Sequence, residues 1–253
     1  MGIESYTANE LMVCQAARQL RDGEVAFVGI GLPNLACNLA RRRHAPNLVL
    51  IYESGAVGAV PERLPISIGD PALVTDSLSV CSMFDIFSYY LQGGHIDVGF
   101  LQGSQIDRFG NLNTTVVGDY SRPSVRLPGS GGACEISSLA KRVLVITPQS
   151  KRSFPEKIDF ITSPGFVDGP GGRTRLGLKG DGPAMVITNL GCYEFEGEEM
   201  ILTSLHPGHT LEEVKDNTGW DVRVSQKLRI TEVPTSEELR VIREELDPTH
   251  LYI

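Results

Sequence analysis

Apolar positions along the chain follow two alternating rhythms, one helical and one strand-like. Leu11, Met12, Ala16, Ala17 and Leu20 share one helical face. Thr7 and Glu10 stand at capping-box spacing ahead of it, and Arg21-Asp22-Gly23 marks its end. Short apolar runs at 25–28, 48–51, 96–101, 143–146, 184–189 and 200–205 read as strands. Helical patterns fall at 35–43, 83–91 and 136–140, then at 211–216 and 236–246, where Thr210/Glu213 and Thr235/Glu238 repeat the capping-box spacing. Residues 56–75, rich in glycine and proline, read as an irregular crossing. No repeat, low-complexity tract or linker interrupts the alternation. It predicts a single α/β domain over 1–253, built on one doubly wound, mainly parallel sheet with helices on both faces.

The pattern draws attention to Tyr52-Glu53-Ser54-Gly55, because the apolar run before it ends in an acid. Ligands of open α/β sheets bind outside the carboxyl ends of the strands, so Glu53 stands where a nucleophile would be useful. A helix cap or an ion pair would place an acid there equally well. The preceding strand leads into Gly29-Ile30-Gly31-Leu32-Pro33-Asn34 and a helix, forming a βαβ unit. A right-handed crossover brings this glycine turn and Glu53 to the same edge of the sheet. The turn also begins like a dinucleotide fingerprint, with an acid roughly twenty residues on, but Pro33-Asn34 replaces the third glycine.

Two further clusters are candidates for chemistry. Leu127-Pro128-Gly129-Ser130-Gly131-Gly132-Ala133 precedes a helix, and consecutive glycines there offer amides to a phosphate or an oxyanion, or form a flexible loop. Residues 102–115 read as a short strand, a Gly110-Asn111 turn and a return strand, in which Asp107 and Asn111 serve either as reactive groups or as shapers of the turn. The stretch 163–183 holds seven glycines and three prolines and reads as an exposed loop or a lid. His206 and His209 bracket Pro207-Gly208 without a third ligand in view, so no metal is expected.

Composition narrows the function classes. The net charge of −8 argues against a nucleic-acid partner. Arg41-Arg42-Arg43 is the compact basic run, suited to a helix C-terminus or to a nucleotide phosphate. Neither a membrane span nor a signal peptide is apparent, which predicts a cytoplasmic protein. The five cysteines are widely spaced, as expected of reduced thiols.

The Gly29 turn, Glu53-Ser54-Gly55 and the Gly129–Ala133 loop, in that order, resemble the β (B) subunit of class I coenzyme A transferases over nearly the whole chain. That family carries its catalytic glutamate in Ser-Glu-Asn-Gly, where this chain has Tyr52-Glu53-Ser54-Gly55. Glutamate-serine-glycine resembles the branch of glutaconate CoA-transferase B subunits and one type of 3-oxoadipate CoA-transferase B subunit. Asp107-Arg108-Phe109-Gly110-Asn111-Leu112-Asn113 and Gly118-Asp119-Tyr120 are especially like the latter.

The resemblance implies transfer of CoA from a donor such as succinyl-CoA to a dicarboxylic acid, foremost 3-oxoadipate, through a glutamyl-CoA thioester on Glu53. Gly29, Gly31, Asn34, Gly131, Gly132 and Ala133 are the expected CoA-binding or oxyanion residues. No metal or tightly bound cofactor is implied, since the CoA thioester is itself the substrate. A separate α (A) subunit of similar fold and an α₂β₂ or larger hetero-oligomer are expected. Superfamily members that lack the glutamate act as decarboxylases or ring-opening hydrolases, so its presence favours transfer. A CoA-thioester hydrolase and a glutaconate transferase are the alternatives.

Overall fold

The structure, a computed structural model, describes residues 5–253. The chain gathers into two compact units, the first running to Phe100 and including Glu232–Ile253, the second covering Leu101–Thr231. The fold is α/β, with parallel strands central to the first unit.

In the first unit, helix α1 (Ala8–Ala17) starts at the expected capping box. Thr7 Oγ1 accepts from the Glu10 amide at 3.1 Å while the Glu10 carboxylate accepts from the Thr7 amide at 2.7 Å, an arrangement that contributes about 1 kcal/mol. α1 ends at Arg18, short of the expected stop, and is buried from Glu10 to Ala17. The C-terminal helix α7 (Ser236–Arg240, continued as a wide turn over Val241–Leu246) accounts for part of that burial. Two ion pairs tie it to α1: Arg18–Glu238 at 2.7 Å and Arg243–Glu10 at 2.6 Å.

Strand β1 (Val25–Phe27) feeds helix α2 (Leu32–Arg43) and then the parallel strand β2 (Val49–Ile51). α2 begins three residues earlier than the apolar pattern implies. Pro33 is tolerated because it lies in the first turn, where no intrahelical donor is required. Beyond β2 the chain crosses residues 58–70 without helix or strand, as expected from its glycine and proline content, but only after one short strand. It turns back at once into β3 (Ala56–Val57), antiparallel to β2, and β4 (Ser79–Val80) then pairs with β3. Helix α3 (Met83–Asp85, widening over Ile86–Leu91) leads to β5 (Val98–Leu101), parallel to β1. The strand order is β5-β1-β2-β3-β4.

The second unit opens with the expected hairpin, β6 (Gln105–Ile106) and β7 (Leu112–Asn113). A second small hairpin, β8 (Val116–Val117) and β9 (Val125–Arg126), follows. Helix α4 (Ala133–Leu139) starts directly after Gly132 and packs on β10 (Arg142–Ile146). The short helix α5 (Gly172–Arg175) lies within the glycine-rich stretch. The strands then run β10-β11-β12-β13-β14, with β11 at Pro183–Ile187, β12 at Gly191–Glu196, β13 at Glu199–Leu205 and β14 at Arg223–Ile230. β12 and β14 were not predicted. β12 mixes Gly191 with two glutamates, and β14 borders the sheet and is mostly polar, so neither shows a continuous apolar run. Helix α6 (Leu211–Asp216) takes its Thr210 cap at 3.1 Å from the Glu213 amide. The Glu213 carboxylate pairs instead with His209 Nδ1 at 2.9 Å, so the predicted box is half made.

Candidate functional site

The register of β1 and β2 sets the geometry around Glu53. Phe27 is level with Ile51, and the Val28 amide donates to Ile51 O at 3.0 Å. The chain therefore leaves both strands at one edge, with the glycine turn 29–31 beside the turn 52–55. That turn is closed at both ends: Gly55 N–H donates to Tyr52 O and Tyr52 N–H to Ala56 O, each at 3.0 Å. Gly55 has φ +113°, and a Cβ there would sit 2.0 Å from Cys81 O, so only glycine fits. Glu53, at the tip, is half-buried, and among the described residues its carboxylate has no hydrogen-bond or ion-pair partner.

Around this acid the backbone is open. Gly31, with φ +92°, caps α2, and an added Cβ at Gly29 or Gly31 would meet nothing within 4 Å. Pro33 has no N–H, and among the described residues the amides of Leu32 and Asn34 in the first helical turn have no acceptor. The Asn34 side chain lies inward, fully buried. Its Nδ2 donates to the Tyr52 hydroxyl at 2.6 Å, and its Oδ1 accepts from Asn38 Nδ2 at 3.0 Å. Burial pushes the Tyr52 phenol well above its ordinary pKa, so it is neutral. Asn34 thus braces the residue before Glu53 from within. Tyr52 and Asn38 escaped the sequence reading. Asn38 had a signal, two asparagines four apart on a helix flanked by apolar residues, a spacing that stacks them on one face, and the inward role of Tyr52 had none.

In the second unit the Gly129–Ala133 loop is held by Thr114, whose carbonyl accepts from Gly129 N at 2.7 Å and whose hydroxyl donates to Gly129 O at 2.8 Å. Among the described residues the amides of Gly131 and Gly132 find no acceptor, while that of Ala133 donates to Ser130 O at 3.0 Å. Gly131 is exposed with φ +49° and open space where a Cβ would stand. Gly129 also borders a groove of about 460 Å³ lined by Gln102, Ser104, Thr114, Thr147 and Ser150 without a charged group.

Asp107 and Asn111 shape their turn. The Asp107 carboxylate accepts from the amides of Phe109 and Asn111, both at 3.0 Å, and from Asn111 Nδ2 at 2.8 Å. Burial raises its pKa, and these bonds pull in the opposite direction. Asn111 also grips the glycine-rich stretch: its Oδ1 accepts from the amides of Gly165 at 2.8 Å and Val167 at 3.1 Å. Arg173, buried, donates to the carbonyls of Ser137, Gly165 and Gly180. The 163–183 stretch is therefore anchored at its base, while Asp168, Pro170 and residues 174–177 remain exposed, as the loop reading expects. His206 is buried between Thr188 O, at 2.7 Å, and Thr231 Oγ1, at 2.8 Å. Burial depresses its pKa to about 4. Among the described residues no cluster of three metal-ligating side chains occurs, and no helix is long and apolar enough to cross a membrane.

The sequence profile of the coenzyme A transferase family matches residues 10–217. The chain belongs to the coenzyme A transferase family. Within it, the chain is 53% identical over 243 residues to the B subunit of the 3-oxoadipate CoA-transferase of Pseudomonas knackmussii, covering 95% of this chain and 94% of that one. It is 37% identical to the B subunit of the glutaconate CoA-transferase of Acidaminococcus fermentans, covering 98% and 96%. The crystal structure of glutaconate coenzyme A-transferase from that organism superposes with a TM-score of 0.91 over 98% of each chain. The decarboxylase AibA/AibB shares the fold at 25% identity, with a TM-score of 0.85 over 98% of each chain.

Proposed function

We propose that this chain is the B subunit of a CoA-transferase that moves coenzyme A from a donor such as succinyl-CoA to a dicarboxylic acid, foremost 3-oxoadipate, in complex with a separate A subunit. The observation that carries the reading is the half-buried, unpartnered Glu53 carboxylate on a braced turn beside the open glycine turn. A structural acid at such a place would be saturated with donors. This one is free to attack.

The reaction balances without a metal or redox group. A Glu53 oxygen adds to the donor's thioester carbonyl, and collapse of the adduct breaks the C–S bond, giving a mixed anhydride and CoA thiolate. The thiolate adds to the Glu53 carbonyl and expels the donor's carboxylate, leaving a glutamyl-CoA thioester. The acceptor carboxylate repeats both steps in reverse, which restores Glu53 and gives ping-pong kinetics. Each tetrahedral adduct carries an oxyanion, and losing one good donor to such a charge costs about 3 kcal/mol; Gly131 and Gly132, whose amides have no acceptor among the described residues, are the proposed CoA-binding or oxyanion residues of the second unit. Gly29 and Gly31 keep the rim of the turn open for CoA. Asn34 acts through Tyr52, and Ala133 by holding the loop rather than by donating.

The 3-oxoadipate reading is favoured by the identity over most of the chain, and glutaconate by the close structural likeness. Initial rates of the complex with succinyl-CoA and each acid decide between them. We expect kcat/KM for 3-oxoadipate to exceed that for glutaconate by at least ~10-fold, a difference of about 1.4 kcal/mol. Steady release of CoA with no acid present would overturn transfer in favour of hydrolysis.

A further inference from the structure

The basic run that closes α2 is not uniform. Arg43 pairs with Glu237 at 3.2 Å and Arg42 with Glu245 at 3.3 Å. Arg41 is half-buried, and its Nη1 donates to the Ala59 carbonyl at 2.7 Å. Among the described residues that is its one hydrogen bond, and no carboxylate stands within ion-pair distance of it. A guanidinium carries five N–H donors and keeps its charge, so a single carbonyl leaves most of its binding capacity unused. Burial weighs against the charged form, and the Arg42 charge nearby adds to that. An anion at Arg41 relieves both.

Arg41 borders a cavity of about 190 Å³ whose walls include Val60, Pro61, Leu64 and Leu246. The other arginines at the cavity are already engaged. Asp70 accepts both ends of the Arg63 fork, at 2.7 and 2.8 Å, and Glu245 is divided between Arg42 and Arg240, the latter at 2.9 Å. Glu62, exposed at the cavity, forms no ion pair among the described residues. A guanidinium fork matches a carboxylate through two parallel hydrogen bonds, and apolar walls strengthen the attraction by lowering the local dielectric. The same walls suit a hydrocarbon chain and would leave the outer oxygens of a phosphate unpaired. The volume is below the ~300–1,000 Å³ of pockets that take drug-sized ligands, so it suits a few carbons and excludes a coenzyme.

The cavity lies away from Glu53. α2 leaves the glycine turn at the carboxyl end of β1 and finishes before β2 begins, which carries Arg41 to the opposite edge of the sheet. Arg41 is seven residues beyond Asn34, about 10 Å further along the helix axis. β3, antiparallel to β2, returns Ala59 and Val60 to that same far edge. Open α/β sheets bind their substrates at the carboxyl ends of the strands, so an acid held here is not the reacting one.

We propose that this cavity is a second, non-catalytic site for a short organic carboxylate, with Arg41 as the cation that holds it. The inference goes beyond the transfer reaction and does not depend on what Glu53 does. The site nevertheless adjoins the support of the Glu53 turn. Asn38 borders the cavity, and its Nδ2 donates to Asn34 O at 2.9 Å and to Asn34 Oδ1 at 3.0 Å. A bound acid therefore rests against the chain of side chains, Asn38 to Asn34 to Tyr52, that lies behind the turn.

The test is a calorimetric titration of the full chain, co-expressed with its A subunit, using succinate, with potassium chloride at matched ionic strength as the control. Hydrogen exchange with and without succinate locates the site. We expect saturable binding, slower exchange in the peptide spanning 58–64, and an affinity at least ~10-fold weaker in Arg41→Gln. Glu62→Gln, at an exposed position, keeps the test open should Arg41→Gln fail to fold. It removes a like charge beside the bound acid and should tighten binding about 2-fold. Absence of binding, no protection of 58–64, or a succinate affinity indifferent to these substitutions would overturn the proposal. Phosphate binding as tightly as succinate would overturn the assignment to an organic acid. None of these readouts involves CoA transfer, so they hold or fail separately from the nucleophile.

Discussion

Two acids stand in turns that close short hairpins, Glu53 in the first unit and Asp107 in the second, and their surroundings are opposite. Asp107 is buried and accepts three hydrogen bonds, two from backbone amides and one from Asn111. Glu53 is half-buried and accepts none among the described residues. The turn around Glu53 is braced without the acid, through Gly55, Cys81, Tyr52 and Asn34. An acid that shapes a turn uses its oxygens to do so. An acid held in place by its neighbours keeps its oxygens for something else.

Substitution separates the two cases most sharply. Glu53→Gln keeps the shape of the side chain and removes the proposed nucleophile, so transferase activity should fall by at least ~10⁴-fold, with the thermal midpoint unchanged. Comparable turnover from the variant would erase the contrast. Asp107→Ala should do the reverse. It strands the Asn111 amide and two backbone donors in a buried site, costing about 3 kcal/mol in urea unfolding, while kcat per folded molecule stays near wild type.

A buried group already satisfied by neutral partners should reveal itself through pH. His206 Nε2 donates to the Thr188 carbonyl, which fixes the neutral tautomer, and its pKa in the fold is about 4. The unfolded chain takes up the proton near pH 6.5, before the folded chain does. The stability from neutral His206 is thus complete above pH 6.5 and is lost as pH falls toward 4. Between pH 7 and 5 the wild type should lose about 2 kcal/mol more than His206→Gln, measured by urea unfolding at both values. Equal losses would mean that the imidazole is protonated in place.

The smallest effect expected concerns the brace. Tyr52→Phe removes the acceptor of the Asn34 amide, and we expect kcat to drop about 10-fold with KM for the acyl-CoA nearly unchanged. A matching fall in stability with kcat intact would make Tyr52 a core residue and nothing more.

The helices with caps, the βαβ unit and the Glu53 turn were legible in the sequence because each is a local signal: a capping residue, an apolar run, a glycine with positive φ. β3, β12 and β14 were not, since what defines them is a neighbouring strand. In β3 only two residues make the ladder, and in β14 the polar face gives no apolar run. At the site, the sequence singled out Asn34 but not its partner. Tyr52 lies eighteen residues away, and nothing local in Tyr52-Glu53 says that the ring points inward. Likewise the sequence grouped Gly131, Gly132 and Ala133 as donors, and only the loop's own hydrogen bonds set Ala133 apart.

The central claim is that Glu53 carries CoA covalently. The measurement that meets it directly is peptide mass spectrometry of the co-expressed complex after mixing with succinyl-CoA and no acceptor acid. The account predicts a CoA adduct on the peptide containing Glu53, discharged when an acceptor acid is added. An unmodified Glu53 peptide from a complex that turns over would contradict it.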